Sequence, residues 1–514
     1  MEAQSDGGNL IIEPGSILKF DDNVRMRIKT SINAVGTSNE HILFTSLKDS
    51  PSPGDWQGIR LYECLSDCYF TYCDIEYASN EYQDASMKFE YSNVYLEHCD
   101  ISYSGSAGVN VSSGSDVYIT NCDIHHNAAV GVDAPWFWDW NKFHISYSNI
   151  YNNGSYAIRG PASTIKYIKD EVMIDYNEID GINIRGSWQL GGMGSETTTG
   201  TWFNHNVPYY IDEFITVSDG DTLTITAGNT FFVNDEKAIG VDGTLIAEGN
   251  ADSLITFNRY PDSESNWQFL KLNVPDNVCS LKYCSFTNGG YYEETRDASG
   301  GMLMFDNTTD KVLLENCVID SSASSGIYLL NDSQPQIINS QIINNTEYGI
   351  YLNAAGDNNV SLGIELSQWN DIYGNGGYEI YNNNNNDITA EYIYWGTTTE
   401  ADISSKLFTG RGDIDYTPWT NAAHDEIYPQ TGIDVPQNVV MEIVGSEIIL
   451  SWDAVGGATS YKIYSSDNPI EPYETWNYED EVIEISWSES ILSDKKFYYV
   501  TAVTTTRVKA RKNE

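Results

Sequence analysis

Short runs of alternating apolar and polar residues recur along most of this chain, and a polar turn follows each run. Clear examples are "CDISYSGSAGV" from Cys99, "NCDIHHNAAVGV" from Asn121 and "NSQIINNTEYGI" from Asn339. Alternation with a period of two predicts a strand with one buried face. The Asn, Ser and Gly residues that follow are typical of tight turns with left-handed backbone. The repeating unit is therefore predicted to be a strand, a turn and a second strand.

Successive units begin roughly 20 to 30 residues apart, which is too short for a unit to bury its own apolar face. Copies must therefore stack on one another as the coils of a solenoid. A longer repeat also exists, because "LIIEPGSILKF" from Leu10 resembles "LTITAGNTFFV" from Leu223, and Trp56 matches Trp267. We interpret this as a tandem duplication of one module.

In these motifs the sequence resembles the right-handed parallel β-helix repeat proteins, the pectate-lyase-like superfold of many secreted and surface-attached bacterial proteins. The resemblance covers roughly residues 8 to 420 and implies an all-β parallel solenoid. With the duplication, it predicts a first β-helix module at residues 1–206 and a second at 207–420. The motifs are informative about the fold but weak evidence for function, because one fold carries many functions.

After "DYTPWT" the repeat ends, and a polar linker is predicted at residues 421–433. Residues 434–514 then contain alternating strands, with Trp452, Tyr461 and a late "YYVTAV" strand. This arrangement resembles a small fibronectin type III-like β-sandwich. The resemblance implies an accessory domain that serves as a spacer or interaction module.

The chain carries a net charge of −47, with 27 basic and 74 acidic residues. Such a surface repels a phosphate backbone, so nucleic acid is an improbable partner, as is an anionic membrane. No apolar run is long enough to span a membrane. Met1 opens almost directly into a strand pattern, so we expect a secreted or cell-surface protein whose export signal is not in this chain. A monomer is favoured.

Five cysteines occupy the first position of the strand unit: Cys73, Cys99, Cys122, Cys284 and Cys317. Equal positions on stacked coils predict a column of buried, reduced thiols. Cys64 and Cys68, in "ECLSDC", are better candidates for a disulfide, and their redox state stays open. No Cys/His spacing matches a zinc site, and the seven histidines are scattered along the chain.

Side chains two positions beyond the repeated glycine are predicted to form outward-facing columns, one in each module. In the first module these residues are Asn110, Asp133 and Arg159, and in the second they are Tyr328, Tyr351 and Tyr381. The first column is polar and can bind hydroxyl or carboxylate groups. The second is an aromatic ladder, which either contributes to a binding surface or simply stabilises the coils by stacking.

Directly after Asp133 lies the insertion "APWFWDWNKF", in which Trp136, Trp138 and Trp140 alternate with other residues. Such tryptophans could form a platform on which sugar rings stack, with Asp133 and Arg159 as polar contacts. They could equally cover the flank of the solenoid as a small satellite core. Arg185 would form a pair of like charges with Arg159 if the two lay opposite each other, although its register is doubtful.

The superfold also contains pectate lyases, polygalacturonases and alginate lyases, so catalysis must be considered. Hydrolysis in that family needs converging carboxylates, whereas elimination needs a basic residue and often calcium. The accompanying motifs of those enzymes are missing here, although "RIK" at Arg27 resembles one polygalacturonase element. For a lyase, the candidate bases are Arg159, Lys142, Lys166 and Lys169, and Asp133 is a candidate calcium ligand.

The favoured hypothesis is a non-catalytic β-helix protein that binds a polysaccharide or cell-surface glycan, or that acts as an adhesive or structural stalk. The alternative is a polysaccharide lyase or glycoside hydrolase with its site on the first module. No cofactor is firmly indicated, and calcium remains possible in the acidic turns.

Overall fold

The computed structural model describes residues 2–3, 8–79, 84–134, 142–185, 198–273, 278–290, 300–308, 310–363, 365–428, 435–456, 458–469, 475–491, 496–503 and 509–510. Residues 2 to about 415 form a parallel β-solenoid, as the repeat predicts. Most coils place one short strand on each of three sheets, and the strands of successive coils pair in parallel. The all-β fold class is therefore confirmed.

One sheet, which we call the long sheet, contains sixteen strands and runs through both halves of the solenoid. Its strands are Glu2–Ala3, Met26–Ile28, Ile59–Tyr62, Ala85–Glu90, Ala107–Ser112, Val132–Asp133, Tyr156–Pro161, Ile179–Arg185, Tyr209–Ile211, Thr230–Val233, Ile255–Arg259, Cys284–Thr287, Val318–Asp320, Ser340–Ile343, Asn370–Tyr373 and Ile393–Tyr394. The pairing of Ile182 with Tyr209 carries this sheet across the predicted module boundary at residue 206.

Two further sheets accompany the long sheet in the amino-terminal half. The first six-stranded sheet contains Asn9–Ile12, Ser31–Val35, Cys68–Thr71, Asn93–Glu97, Asp116–Thr120 and Lys142–Ser146. The seven-stranded sheet contains Ile17–Phe20, Ile42–Ser46, Cys73–Glu76, Asp100–Ser102, Asp123–His125, Asn149–Tyr151 and Met173–Asp175.

The carboxy-terminal half has its own two sheets beside the long sheet. The second six-stranded sheet contains Gly200–Trp202, Thr222–Ile225, Thr244–Glu248, Cys279–Lys282, Val312–Glu315 and Gln336–Ile338. The eight-stranded sheet contains Ile215–Val217, Ile239–Val241, Leu270–Leu272, Gly301–Asp306, Ser325–Leu330, Ile350–Leu352, Ile380–Asn382 and Leu407–Thr409.

Matching segments of the two modules lie on different sheets. Strand Ile17–Phe20 belongs to the seven-stranded sheet, whereas its sequence equivalent Thr230–Val233 belongs to the long sheet. Two strands separate neighbouring long-sheet strands from Glu2–Ala3 to Tyr156–Pro161, whereas the described residues contain one strand, Gly200–Trp202, between Ile179–Arg185 and Tyr209–Ile211. The second half is therefore displaced by one strand relative to the first.

The interior is a continuous column of apolar side chains that point inward from every sheet. Trp56 and Trp267, the matched tryptophans, are both fully buried, and their indole N–H groups donate to the carbonyl oxygens of Glu76 at 2.8 Å and Thr287 at 2.9 Å. These like environments agree with a duplication, which remains a prediction.

Asparagine side chains form ladders inside two of the turns. The amide of Asn127 donates to Asn153 and the amide of Asn153 donates to Asn177, each at 2.9 Å. The left-handed residue is the one before each ladder asparagine, as at His126 and Asn152 (both φ 53°). The repeated glycine has a different role from the predicted one: a Cβ at Gly131 would lie 2.6 Å from Ile150 Cγ2, so glycine is needed for close packing.

The predicted cysteine column is confirmed as buried thiols. The backbone N–H of Cys99 lies 3.4 Å from the sulfur of Cys122, and Ser340 continues the same position above Cys317. Cys64 and Cys68 are unlinked thiols, and Cys64 is the only one of the eight described cysteines that is not fully buried.

Two short α-helices, Ala162–Ile165 and Glu400–Ser405, and the 3-10 helix Leu366–Gln368 interrupt the coils. The described helices therefore include none with the length and apolarity needed to cross a bilayer. At the carboxy-terminal end of the coils, a small sheet contains Ile388–Thr389, Ile414–Asp415 and Lys509–Ala510, and a hairpin pairs Trp419–Thr420 with Ile427–Tyr428.

Two antiparallel sheets of three strands follow. One contains Val440–Val444, Glu447–Ser451 and Ser486–Ser490, and the other Ser460–Ser466, Asn477–Val482 and Phe497–Val503. Leu450, Trp452, Tyr461, Ile463 and Val500 form a small core. The fibronectin type III-like assignment of this part stays a prediction.

Candidate functional site

The polar column predicted from the first module forms with the expected register on the long sheet. Asn110 pairs with Asp133, and Asp133 pairs with Arg159. The Arg159 guanidinium donates from Nε and from a terminal nitrogen to the two carboxylate oxygens of Asp133, both at 2.7 Å. These hydrogen bonds raise the pKa of the Arg159 guanidinium.

Asn110 and Asp133 are buried, however, although they point away from the apolar interior. The next member of the column, Asn183, is fully buried and donates to a carboxylate oxygen of Asp212 at 2.8 Å. Asp212 also accepts a hydrogen bond from the Tyr260 hydroxyl at 2.5 Å. The column is therefore part of a buried polar network at the junction of the two halves rather than an open stripe.

Arg185 lies beside this network but not opposite Arg159. The residue in register with Arg159 is Asn183, and Arg185 pairs with Pro161. Burial and the nearby Arg159 charge lower the pKa of Arg185. The two guanidinium groups are therefore neighbours on adjacent strands, although they do not form a facing pair.

The remaining predicted residues of the first module lie elsewhere. Lys142 pairs with Asp116 on the first six-stranded sheet, Lys166 follows the helix Ala162–Ile165, and Lys169 donates its backbone N–H to Ile145 on that same face. These lysines therefore do not share a sheet with Arg159. Trp136, Trp138 and Trp140 lie outside the described residues. Within the described ranges, no group of three His, Cys, Asp or Glu side chains is arranged to hold a metal ion.

The predicted tyrosine ladder of the second module is present on the eight-stranded sheet. The rings of Tyr328 and Tyr351, and those of Tyr351 and Tyr381, stack with centroids 4.9 Å apart, and Phe408 continues the stack at 4.1 Å. Tyr328 is only 3% exposed. Because each ring face covers the next, the ladder presents ring edges and hydroxyl groups rather than open faces.

A groove that sequence reasoning did not identify lies over the outer face of the seven-stranded sheet. We call it the histidine–carboxylate groove. It has a volume of about 580 Å³. It is lined by His41, Tyr72, Asp74, Glu76, His98, Cys99, Asp100, Ser102, Tyr103, Asn121, Asp123 and His125.

Three aspartates form its floor, because Asp74, Asp100 and Asp123 occupy equal positions on successive strands. Strands of one sheet lie about 4.8 Å apart, so these carboxylates repeat along the solenoid at that spacing. Each follows a cysteine of the buried column, in "YCDI", "HCDI" and "NCDI". The "CDI" that recurs three times in the first module is the sequence signal from which this aspartate row could have been predicted. The second module lacks it, because Ser285 and Val318 occupy the equivalent positions.

Imidazole groups pair with this acidic floor. The His41 ring nitrogen Nδ1 lies 2.9 Å from Asp74 Oδ1, and His125 Nε2 lies 3.0 Å from Asp100 Oδ2. His125 Nδ1 lies 2.7 Å from His126 Nδ1. If neutral His125 donates to Asp100, its Nδ1 must accept from His126, so the three groups form a hydrogen-bonded chain.

The pKa values of two carboxyl groups in the groove, those of Glu76 and Asp100, are shifted in opposite directions. Burial raises the pKa of Glu76, and the nearby charges of Asp100 and Asp74 add to this effect. Burial also acts on Asp100, but hydrogen bonds from His125 and Ser102 outweigh it and lower the pKa of that carboxyl. Neighbouring acids whose pKa values are separated in this way can divide the roles of proton donor and charged partner.

Aromatic rings border the same groove. The Tyr72 and His98 rings stack with centroids 4.6 Å apart, and the Tyr103 ring lies 5.2 Å from that of His126. A second cavity of about 530 Å³ shares Tyr103 and extends past Asn152 to Tyr176, which is 72% exposed. The two cavities together follow several coils of the solenoid.

Comparison with known proteins identifies the fold of the first half. Residues 30–203 match the family model described as right handed beta helix region. No curated protein matches the chain. A solved structure described as "Crystal structure of Agl-KA catalytic domain" aligns with 14% identity and a TM-score of 0.23, over 79% of this chain and 61% of that chain. A likeness this weak supports no conclusion about activity. Residues 30–203, which include every residue that lines the histidine–carboxylate groove, are thus similar to the right-handed β-helix family.

Proposed function

We propose that the protein is a secreted or cell-surface β-helix that binds a glycan in the histidine–carboxylate groove without catalysis. The observation that carries this proposal is the groove itself, which joins tyrosine and histidine rings to a row of carboxylates along several coils. Pyranose rings combine apolar faces with hydroxyl groups, so they match a surface that offers both aromatic rings and hydrogen-bond acceptors.

The repeat of the floor also suits a polymer. Asp74, Asp100 and Asp123 follow one another at about the strand spacing of 4.8 Å, which is comparable with the length of one sugar residue. An extended chain lying along the solenoid would therefore meet a similar set of groups at each step. The net charge of −47 disfavours a polyanion such as nucleic acid at this surface.

In this proposal the two side-chain columns that the sequence predicts, one in each module, stabilise the solenoid instead of contacting the glycan. The Asp133–Arg159 pair joins two adjacent strands of the long sheet, Asn110 is buried on the strand before them, and the tyrosine ladder stiffens the second half. The second module and the fibronectin-like part would act as a stalk and spacer, and the protein would act as a monomer. We also propose that Trp136, Trp138 and Trp140 form a platform on which sugar rings stack, and glycan binding by variants of these residues tests this.

A glycan array with the intact protein tests the proposal, followed by titration of the best glycan. Tyr103→Ala should weaken binding about tenfold, since an aromatic contact contributes on the order of 1 kcal/mol beyond its buried area. Tyr478→Ala, which removes a ring that is 56% exposed and distant in sequence, is the matched control. Glycan binding that survives both Tyr103→Ala and Asp100→Asn unchanged would contradict this assignment of the site.

Polysaccharide hydrolysis is the second candidate function, and the opposed shifts of Glu76 and Asp100 favour it. Glu76, with its raised pKa, could protonate a leaving oxygen while Asp100 remains charged. Release of new reducing ends from neutral and acidic polysaccharides would establish it, provided that Glu76→Gln abolishes the product. Formation of an unsaturated product that requires calcium and Arg159 would instead establish a lyase.

A further inference from the structure

A separate cavity lies on the carboxy-terminal half, at the end of the second six-stranded sheet. Its volume is about 490 Å³, which is within the usual range for small-molecule sites. The polar lining comes from three consecutive coils, with Gln336 on the first, Asn359 on the second and Thr389 on the third. It therefore lies on a different sheet from the histidine–carboxylate groove.

An extended connection builds this cavity. Residues 353–369 join strand Ile350–Leu352 to Asn370–Tyr373, whereas the preceding coil makes the equivalent crossing with residues 331–339. In place of a full strand, the longer segment forms an isolated bridge in which Ser361 pairs with Gln336, and the Ser361 backbone exchanges hydrogen bonds with Pro335 and Ile337 at 3.0 and 2.8 Å. At Gly363 (φ +89°) the chain turns so tightly that a Cβ would collide with the carbonyl oxygen of Gln368. Gln368 and Gln336 both line the cavity.

The lining is rich in amides. Gln334, Gln336 and Gln368 contribute both N–H donors and carbonyl acceptors, and Asp310 and Asp387 contribute acceptors. The Gln336 side-chain N–H donates to the carbonyl oxygen of Asp310 at 2.7 Å, which fixes the direction of this amide. None of the twelve lining residues is Lys, Arg or His, so the cavity provides no partner for an anion.

The floor of the cavity is apolar, with Ile338, Val360 and Leu362 beneath the polar groups. Val360 and Leu362 are 4% and 0% exposed, so the floor is fixed by the core. Of these three side chains only Ile338 is partly exposed, so the floor offers a ligand a small apolar contact, while the surrounding amides require neutral donors and acceptors. A sugar ring satisfies both requirements, because its carbon atoms suit the apolar contact and each hydroxyl can donate and accept at once.

We infer that this cavity, the amide pocket, is a second saccharide site that takes a neutral, hydroxyl-rich sugar. It does not depend on the proposed function of the histidine–carboxylate groove, because it lies on another sheet and shares no residue with that groove. Two separate sites on one rigid rod would bind a multivalent glycan more tightly than either site alone.

The test is a calorimetric titration of the full chain with linear neutral hexasaccharides of glucose, mannose and galactose, and with a polyuronate hexamer for contrast. The double variant Gln336→Ala and Gln368→Ala removes two amides from the pocket. Loss of two neutral hydrogen bonds should weaken binding of at least one neutral hexasaccharide about tenfold or more. Gln437→Ala, which removes an exposed glutamine of the carboxy-terminal part, is the control.

Tyr103→Ala separates this inference from the proposed function. Binding that is lost in the double glutamine variant and kept in Tyr103→Ala supports the amide pocket, whereas the reverse pattern overturns it and leaves the groove as the site. Failure of every neutral hexasaccharide to bind, or preference for the polyuronate, also overturns it. Hydrogen exchange of wild-type residues 353–363 provides an independent measurement, since a bound sugar must increase protection there.

Discussion

A buried carboxyl group in the second half provides a quantitative test of the structure. Glu379 is 3% exposed, and its Oε2 accepts a hydrogen bond from the side-chain amide of Asn375 at 2.5 Å. Asn375 in turn accepts from Asn345 at 2.9 Å, so Glu379 ends an internal asparagine ladder. Burial raises the pKa of Glu379 from its ordinary 4.5 to about 7, against the opposing effect of the Asn375 hydrogen bonds.

The raised pKa of Glu379 determines the direction in which the stability of the protein changes with pH. Between pH 4.5 and 7 the folded state holds a proton that the unfolded state has released, so stability falls as the pH increases through this window. At pH 8 the buried carboxylate costs about 3 kcal/mol, and at pH 5 it costs about 1 kcal/mol. The amide variant Glu379→Gln keeps the hydrogen-bond acceptor and removes the charge.

We therefore expect Glu379→Gln to be about 2 kcal/mol more stable, relative to wild type, at pH 8 than at pH 5. Urea unfolding at the two pH values measures this difference, and comparison with wild type cancels the titration of all other acids. The exposed Glu400→Gln is the matched control. A variant whose advantage is independent of pH would refute the reasoning, because the carboxyl would then be solvated in the folded state.

Three further predictions concern the buried polar groups and the thiols. Asp133→Ala should destabilise the protein by about 2 kcal/mol in urea unfolding, because it leaves the Arg159 charge without its bidentate partner, and Arg159→Met in the same chain should restore part of the loss. Asn153→Ala should cost about 3 kcal/mol in the same assay, since it breaks the ladder on both sides, whereas an unchanged midpoint would contradict the ladder. Cys64 should be alkylated first at pH 7.5, as followed by peptide mass spectrometry, because a hydrogen bond from Cys68 lowers its pKa and it is the least buried described cysteine. Faster alkylation of Cys99 than of Cys64 would show that the buried cysteine column is accessible to solvent.

Strand positions and register were predictable because they depend on local alternation and equal spacing. The pairing of Asn110, Asp133 and Arg159 follows from counting two residues beyond a glycine that recurs once per coil. Burial of the column was not predictable in this way. The side chains do point away from the interior, but burial depends on what packs above them, and a repeat pattern carries no information about that.

The histidine–carboxylate groove was missed because its histidines occupy unequal positions of the repeat. His41 precedes a strand, His98 forms the left-handed corner between two sheets, and His125 ends a strand. They are scattered in the sequence, yet stacked coils bring all three to one face. The aspartate row was visible as a repeated "CDI", but its meaning required the neighbours that only the stacking of coils supplies.

The one-strand displacement between the halves has an evolutionary consequence. Under the duplication that the sequence predicts, the equivalent columns of Asn110 and Tyr328 began as copies, yet they now lie on the long sheet and the eight-stranded sheet. Equivalent mutations in the two copies could not build one continuous surface, because the equivalent positions lie on different sheets. Under that duplication, the displacement would have let the two copies diverge independently, which would account for an acidic row on one half and an aromatic ladder on the other.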